Sequence, residues 1–410
     1  MIKENKTQIT MPWLAWSSVA LFYAYQYILR VFPSIVMPEI MASYQMNASL
    51  FGQYSGIYYI GYGLAHLPLG FWIDRIGPRK IMPLCCLLCI VGLAPLMVES
   101  IALYPILGRL LMGIGSSGAI LGVFKIIRMA FSSSKFSRIL GVTVTIGLVG
   151  ALYGSQPFYH LIQQYNWQLC VFILMIAGFI LAIGMYWTLP DIPQPQQEKT
   201  PLRLQIREIL GNRNVILICI FAGLMVAPLE GFADIWGTEF LMRLYDQSKA
   251  QMAFYPSLIF IGMGIGAPLI GALSDQTGRY FTVIIFSGLV MTISFLILLY
   301  APPSLFWLPM ILVLIGIFCA YQIPAITKAT FFVSERLVGF TTAFVNMVIM
   351  MFGYFYHGAI GAMLNLGPDS VKTMYTLADF KMGLSVVPLG LLIGSLGFIW
   401  LHFSAQQRSG

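Results

Sequence analysis

Twelve stretches of about twenty apolar residues, each long enough for an α-helix to cross the hydrocarbon core of a bilayer, dominate this 410-residue chain. They fall at 12–38, 50–71, 80–98, 101–124, 139–160, 167–189, 214–238, 251–273, 280–300, 305–327, 338–361 and 382–403. In lipid, backbone amides must be satisfied within the protein, and a helix does this inside one segment. The expected fold class is therefore an all-α polytopic membrane protein of twelve transmembrane helices. Hydrophobic residues reach 59% and charged residues only 9%, far from the balance of a soluble domain. The apolar run from Pro12 is long enough to span and lacks a small-residue cleavage pattern, so the first helix is expected to be retained.

With alternate connections assigned to alternate sides, seventeen of the 23 basic residues fall on one side. Only Arg243, Lys249, Lys372 and Lys381 fall on the other, and Arg30 and Arg109 lie within spans. Positive charge is retained in the cytoplasm, so both termini are expected there. The net charge of +8 then reports topology and contact with membrane lipid, and no nucleic-acid partner is expected. The six cysteines all sit in apolar stretches and read as packing groups. Cys86 and Cys89 form a lone CxxC without companion ligands, so no metal site is expected. The absence of a Walker A sequence, of HExxH and of GxSxG with a partner set argues against an enzyme, and no cofactor is expected.

A polar interval at 190–213 divides the chain into bundles at 1–189 and 214–410. Its first half is rich in proline and glutamine, and its second half has the pattern of a basic amphipathic helix lying on the membrane surface. The bundles repeat each other. "GFWIDRIGPRK" at 70–80, between spans 2 and 3, returns as "GALSDQTGRY" at 271–280, between spans 8 and 9. Gly70, Asp74 and Gly77 match Gly271, Asp275 and Gly278 at an offset of 201.

The pattern G-x-x-x-D-R-x-G-x-R-K, its echo and the six-plus-six layout resemble the major facilitator superfamily over essentially the whole chain. The resemblance implies two six-helix bundles rocking about a central solute site. It also implies that Gly70, Asp74, Arg75, Gly77, Arg79 and Lys80, with Gly271, Asp275, Gly278 and Arg279, form a conformational latch. From the residues themselves, Gly70 permits close helix approach, Gly77 a tight turn, and Asp74 a hydrogen bond or ion pair, while the basic residues hold the loop inside. "GRLLMGIGSSG" at 108–118 is similar to the family's arginine-glycine signature. It places Arg109 within span 4, where the resemblance links it to proton movement or to structural pairing. "GLVGALYGSQP" at 147–157 departs from the family's antiporter signature, because Ala151 stands where proline is expected. That weakens a drug-exporter reading and leaves Gly147, Gly150 and Gly154 as helix-packing positions.

On span 1, Tyr23, Gln26, Tyr27 and Arg30 share one helical face, suited to a polar cavity. Arg30 lies about 22 Å along the helix from Ala15, in the outer half of the core. The repeat offset carries Arg30 to Gly231, beside Glu230 in span 7, with Asp234 one turn on. Either Arg30 clamps a substrate carboxylate while Glu230 takes an ammonium group or the coupling proton, or the two pair as an outer gate. Asp234, Arg109 and His66 are further proton-coupling candidates. Tyr321, Gln322 and Asn346 are further cavity candidates, with Tyr354 and His357 near them, although each also suits interhelical hydrogen bonding. Lys125 and Lys328, at corresponding span ends, read as topology and headgroup contacts.

The expected function is secondary active transport of a small organic solute by alternating access, as proton-coupled uptake of an amino acid or short peptide. The alternatives are an organic-anion symporter, a drug exporter and a non-transporting solute sensor. The layout is also similar to the branch of lysosomal dipeptide transporters and to amino-acid and nucleoside importers of intracellular bacteria. These resemblances imply a monomer in the bacterial inner (cell) membrane.

Overall fold

The computed structural model describes residues 11–98, 101–132, 135–191, 202–366 and 375–406, and among them there is no strand. Lys3, Lys6, Lys199, Lys372 and Arg408 of the charge tally lie outside the described residues, as does most of the proline- and glutamine-rich half of the linker. Ten helical segments are long and apolar enough to cross a membrane, and the bent pair Pro12–Ser34 and Met37–Ser43 makes an eleventh. The remaining expected span is Ala48–Ile76, whose 29 residues extend about 43 Å at 1.5 Å each. Tyr54, Tyr58, Tyr59, Tyr62, His66 and five glycines keep its hydropathy below that of the other eleven.

The twelve places are filled as follows. Span 1 is Pro12–Val31, span 2 Ala48–Ile76, span 3 Pro78–Leu93, span 4 Leu103–Ala130, span 5 Phe136–Tyr153 and span 6 Trp167–Thr188. Span 7 runs from Arg213–Leu224 through Pro228–Trp236 to Gly237–Tyr245, and span 8 is Ser257–Thr277. Span 9 is Tyr280–Tyr300, span 10 Leu308–Cys319 with Gln322–Thr330, span 11 Val338–Leu364 and span 12 Val386–Gln406. The amphipathic helix expected before span 7 is present as Leu202–Leu210.

The spans are less continuous than apolar length alone suggests. Span 1, expected over 12–38, stops at Val31 and resumes at a 68° bend as Met37–Ser43. Spans 5, 7 and 10 break beside Pro157, Pro228 and Pro324. Proline removes one donor from the helical ladder and crowds the carbonyl four residues back, so each break has a local cause.

The described residues up to Phe32 and those from Ile60 to Asp191 form one compact unit; Pro33–Tyr59 and those from Leu202 onward form the other. Residues 33–59, placed by sequence in the first bundle, thus pack within the second unit. Their glycines explain it: a methyl at Gly52 would overlap the His357 carbonyl oxygen, and one at Gly56 would press on Tyr354. The Ala48 amide also donates to the Tyr375 hydroxyl at 2.8 Å.

Glycines set the other close approaches. In the first unit, added methyls at Gly61 and Gly115 would overlap the carbonyls of Leu110 and Cys85, and Gly150 meets Ala24 of span 1. In the second, Gly262, at the repeat offset from Gly61, meets the Val313 carbonyl in the same way. All six cysteines are buried and unbridged, as their apolar settings suggested.

Candidate functional site

The candidate residues read from sequence gather in a polar cluster in each unit. In the first, Arg30 is 7% exposed in the last turn of span 1, its guanidinium 5.4 Å from the centre of the Tyr27 ring. Tyr23 and Tyr27 meet edge to face at 5.2 Å, and both rings press on Gly147 of span 5. Gln26 is buried beside them. The face read from sequence is therefore turned inward, as an unfavourable lipid contact for Arg30 requires.

Arg109 explains how span 1 can end there. The amide that would normally bond the Leu29 carbonyl belongs to Pro33 and does not exist. Arg109, 1% exposed, donates Nη1 to Leu29 O at 2.5 Å and Nη2 to Arg30 O at 2.9 Å. Its planar fork caps two carbonyls at once, which a lysine cannot do in the same geometry. His66, also buried, lies with Nδ1 3.1 Å from Ser117 Oγ and stacks on Tyr62 at 5.4 Å.

The second cluster is built on the nine-residue π-helical turn Pro228–Trp236, a form enriched at functional positions. Glu230 and Asp234 are buried on it, and Glu230 Oε2 lies 2.5 Å from the Tyr59 hydroxyl. The same hydroxyl hydrogen-bonds Asp234 Oδ2. Tyr59 is held by stacking on His357, with centroids 5.6 Å apart, and by the bare backbone of Gly353 beneath its ring. Two buried carboxylates on one hydroxyl form an acceptor set for a proton or an ammonium group.

Tyrosines repair the break that shapes this turn. Pro228 cannot bond the Leu224 carbonyl, and the Tyr356 hydroxyl does so instead at 2.5 Å. Tyr321 likewise donates to the Ala222 carbonyl at 2.6 Å, so the hydroxyl expected to face a cavity is committed to backbone. Gln322 is 4% exposed, and its Nε2 has no hydrogen-bond partner among the described residues, leaving a buried donor for a ligand or water. Asn346 is half-buried on span 11.

Sequence reasoning did not single out Tyr59 or Glu239. The signal for Tyr59 was the Gly52, Gly56 and Tyr59 face of span 2, visible as spacing but without charge. Glu239, 4% exposed, binds Arg243 at 2.6 Å and Lys249 at 3.0 Å. Lys249 also donates to the Ile35 carbonyl at 3.0 Å, tying the 33–59 segment to the second unit. Two cations read only as loop charges are thus ion-paired.

At the loop signature, Asp74 pairs with Lys125 of span 4 at 2.8 Å, so that lysine binds a carboxylate rather than standing as a headgroup contact. Gly77 adopts φ 99° and ψ 154°, the turn expected of it. Gly70 differs from its expectation of a close helix approach: among the described residues a methyl there would meet nothing within 4 Å. Arg75 lies over the Phe71 ring, whereas Arg79 donates to the Tyr186 carbonyl at 3.0 Å and covers its ring. Lys80 is exposed. In the repeat, Gly271 meets only Ile323 at ordinary contact distance, and Gly278 closes span 8 at φ 66°. Asp275 accepts from the Tyr280 hydroxyl at 2.9 Å, and Arg279 is exposed.

The family model of the Major Facilitator Superfamily matches residues 16–357. The chain belongs to the major facilitator superfamily. As a member it is a multi-pass membrane protein and a secondary transporter. A search of curated protein sequences found no match. Among solved structures, a bacterial homolog to the human lysosomal transporter Spinster, in an inward-facing and unoccupied conformation, is similar with TM-score 0.76 and 16% identity. The match covers 95% of this chain and 96% of that one. The nucleoside transporter NupG is similar with TM-score 0.77 and 14% identity, covering 94% of this chain and 99% of its own. At these identities the likeness is one of fold.

Proposed function

We propose that this major facilitator protein takes up an amino acid or short peptide together with protons, as a monomer in a bacterial inner membrane with both termini in the cytoplasm. The observation that carries this reading is the chemistry of the two buried clusters. Arg30, with Tyr27 against it, suits a substrate carboxylate; Glu230 and Asp234, joined on Tyr59, suit an ammonium group or a coupling proton. In this reading Gln322 adds a buried donor, and the 70–80 loop acts as a latch that uses the Asp74–Lys125 pair. An organic-anion symporter would use Arg30 in the same way and the carboxylates for protons alone.

The test is a thermal-shift screen of the purified chain in detergent against amino acids, dipeptides, organic anions, nucleosides and sugars, repeated with Arg30→Ala. A ligand at about 100 times its Kd adds about 2.7 kcal/mol of stability. Stabilisation by zwitterions that is lost in the variant is the expected result. Stabilisation by simple organic anions only would select the anion symporter, and stabilisation by nucleosides or sugars that the variant keeps would overturn the site.

A further inference from the structure

The start of span 7 and the end of span 12, both in the second unit, enclose a cavity of about 170 Å³ away from the carboxylate cluster. Arg213 and Ser404 supply polar groups, and Leu217, Ile218, Phe281 and Trp400 supply apolar walls. The Arg213 guanidinium lies 5.6 Å from the centre of the exposed Trp400 ring. Behind the Phe281 wall, the Lys328 ammonium sits 5.3 Å from that ring and 5.6 Å from Phe332, which also lines the cavity. Among the described residues neither cation has a carboxylate partner, although four other cations do. The site therefore carries uncompensated positive charge around an apolar hollow.

The surroundings point to the bilayer surface. Asn212 caps the helix starting at Arg213 and donates to the Phe332 carbonyl at 2.6 Å, fixing the rim of the cavity. The helix Leu202–Leu210 leads into this rim and exposes Leu204 and Leu210 next to the exposed Arg203 and Arg207. That is the composition of a helix lying among anionic headgroups. A soluble anion gains nothing from the apolar walls, and a zwitterionic lipid brings an ammonium group of its own that the two cations repel.

We propose that this cavity binds one anionic phospholipid, its phosphate diester on Arg213 and Ser404 and an acyl chain along Leu217, Phe281 and Trp400. Lys328 adds attraction through the aromatic wall without touching the headgroup. The site is independent of substrate identity.

The experiment uses the full-length chain in mild detergent, titrated with phosphatidylglycerol or phosphatidylcholine and read by native mass spectrometry. Phosphatidylglycerol should bind more tightly, and Arg213→Gln should weaken it about tenfold, the scale of one charge-assisted hydrogen bond. Arg203→Gln, on the adjoining surface helix, should leave the retained lipid unchanged. A phosphatidylglycerol carrying a photoreactive acyl chain should label Leu217, Trp400 or their immediate neighbours, which gives a readout independent of any variant's folding. Equal affinity for the two lipids, an undiminished preference in Arg213→Gln, or labelling confined to other spans would each overturn the proposal. Displacement of the lipid by glycerol phosphate at matched concentration would also overturn it, because the site would then be one for a soluble anion.

Discussion

At the residue scale, the two clusters rest on the same physical device. Beside each cluster a proline deletes a backbone donor where the helix breaks, and a buried side chain from another span replaces it. Arg109 does this for Leu29, which Pro33 leaves without its usual donor, and Tyr356 does it for Leu224 ahead of Pro228. The prolines were legible in the sequence; the replacements were not, because the Arg109 contact joins residues 80 apart. Sequence left Arg109 between proton movement and structural pairing, and its bonds favour the structural role. Arg109→Met should therefore lower stability by about 3 kcal/mol, since two buried acceptors lose charged donors. Chemical unfolding in detergent measures this, and Arg109→Lys should recover only part of the loss. Native stability in Arg109→Met would contradict the capping role.

At the element scale, glycines decide which helices touch. The repeat was readable from the loop signature, and Gly61 with Gly262 extends it into the helix interfaces, each meeting a carbonyl on the fourth span of its half. Spacing alone did not distinguish such positions from Gly70, because a glycine facing a neighbour and one facing open space look identical in sequence. The two make opposite predictions. Gly61→Ala should cost about 1–3 kcal/mol, because its methyl meets rigid backbone that must move. Gly70→Ala should leave the unfolding transition where it is, or raise it slightly through helix propensity. Equal effects at the two positions would contradict this account of the packing. That segment 33–59 packs within the second unit was not legible for a related reason: the glycines at 52 and 56 announce a close partner but do not name it.

For the whole molecule, the fold class was legible, since apolar length follows from the bilayer itself. The loop at 70–80 was enough to suggest the family. The polar face of span 1 and the carboxylates of span 7 were also visible, as charges in apolar runs that had to be buried for a reason. Tyr59, which joins those carboxylates, was hidden because a tyrosine in a tyrosine-rich span carries no such signal. The proposed coupling of uptake to protons involves the entire chain in a sealed membrane, and it is tested most directly there. Proteoliposomes containing a trapped pH-sensitive dye would be given pooled amino acids and dipeptides, with uptake of the labelled compounds followed in parallel. Proton entry that accompanies solute uptake in the wild type, with Glu230→Gln exchanging solute but no longer moving protons, is the result expected. Solute uptake without proton entry, or unchanged proton entry in Glu230→Gln, would contradict the account.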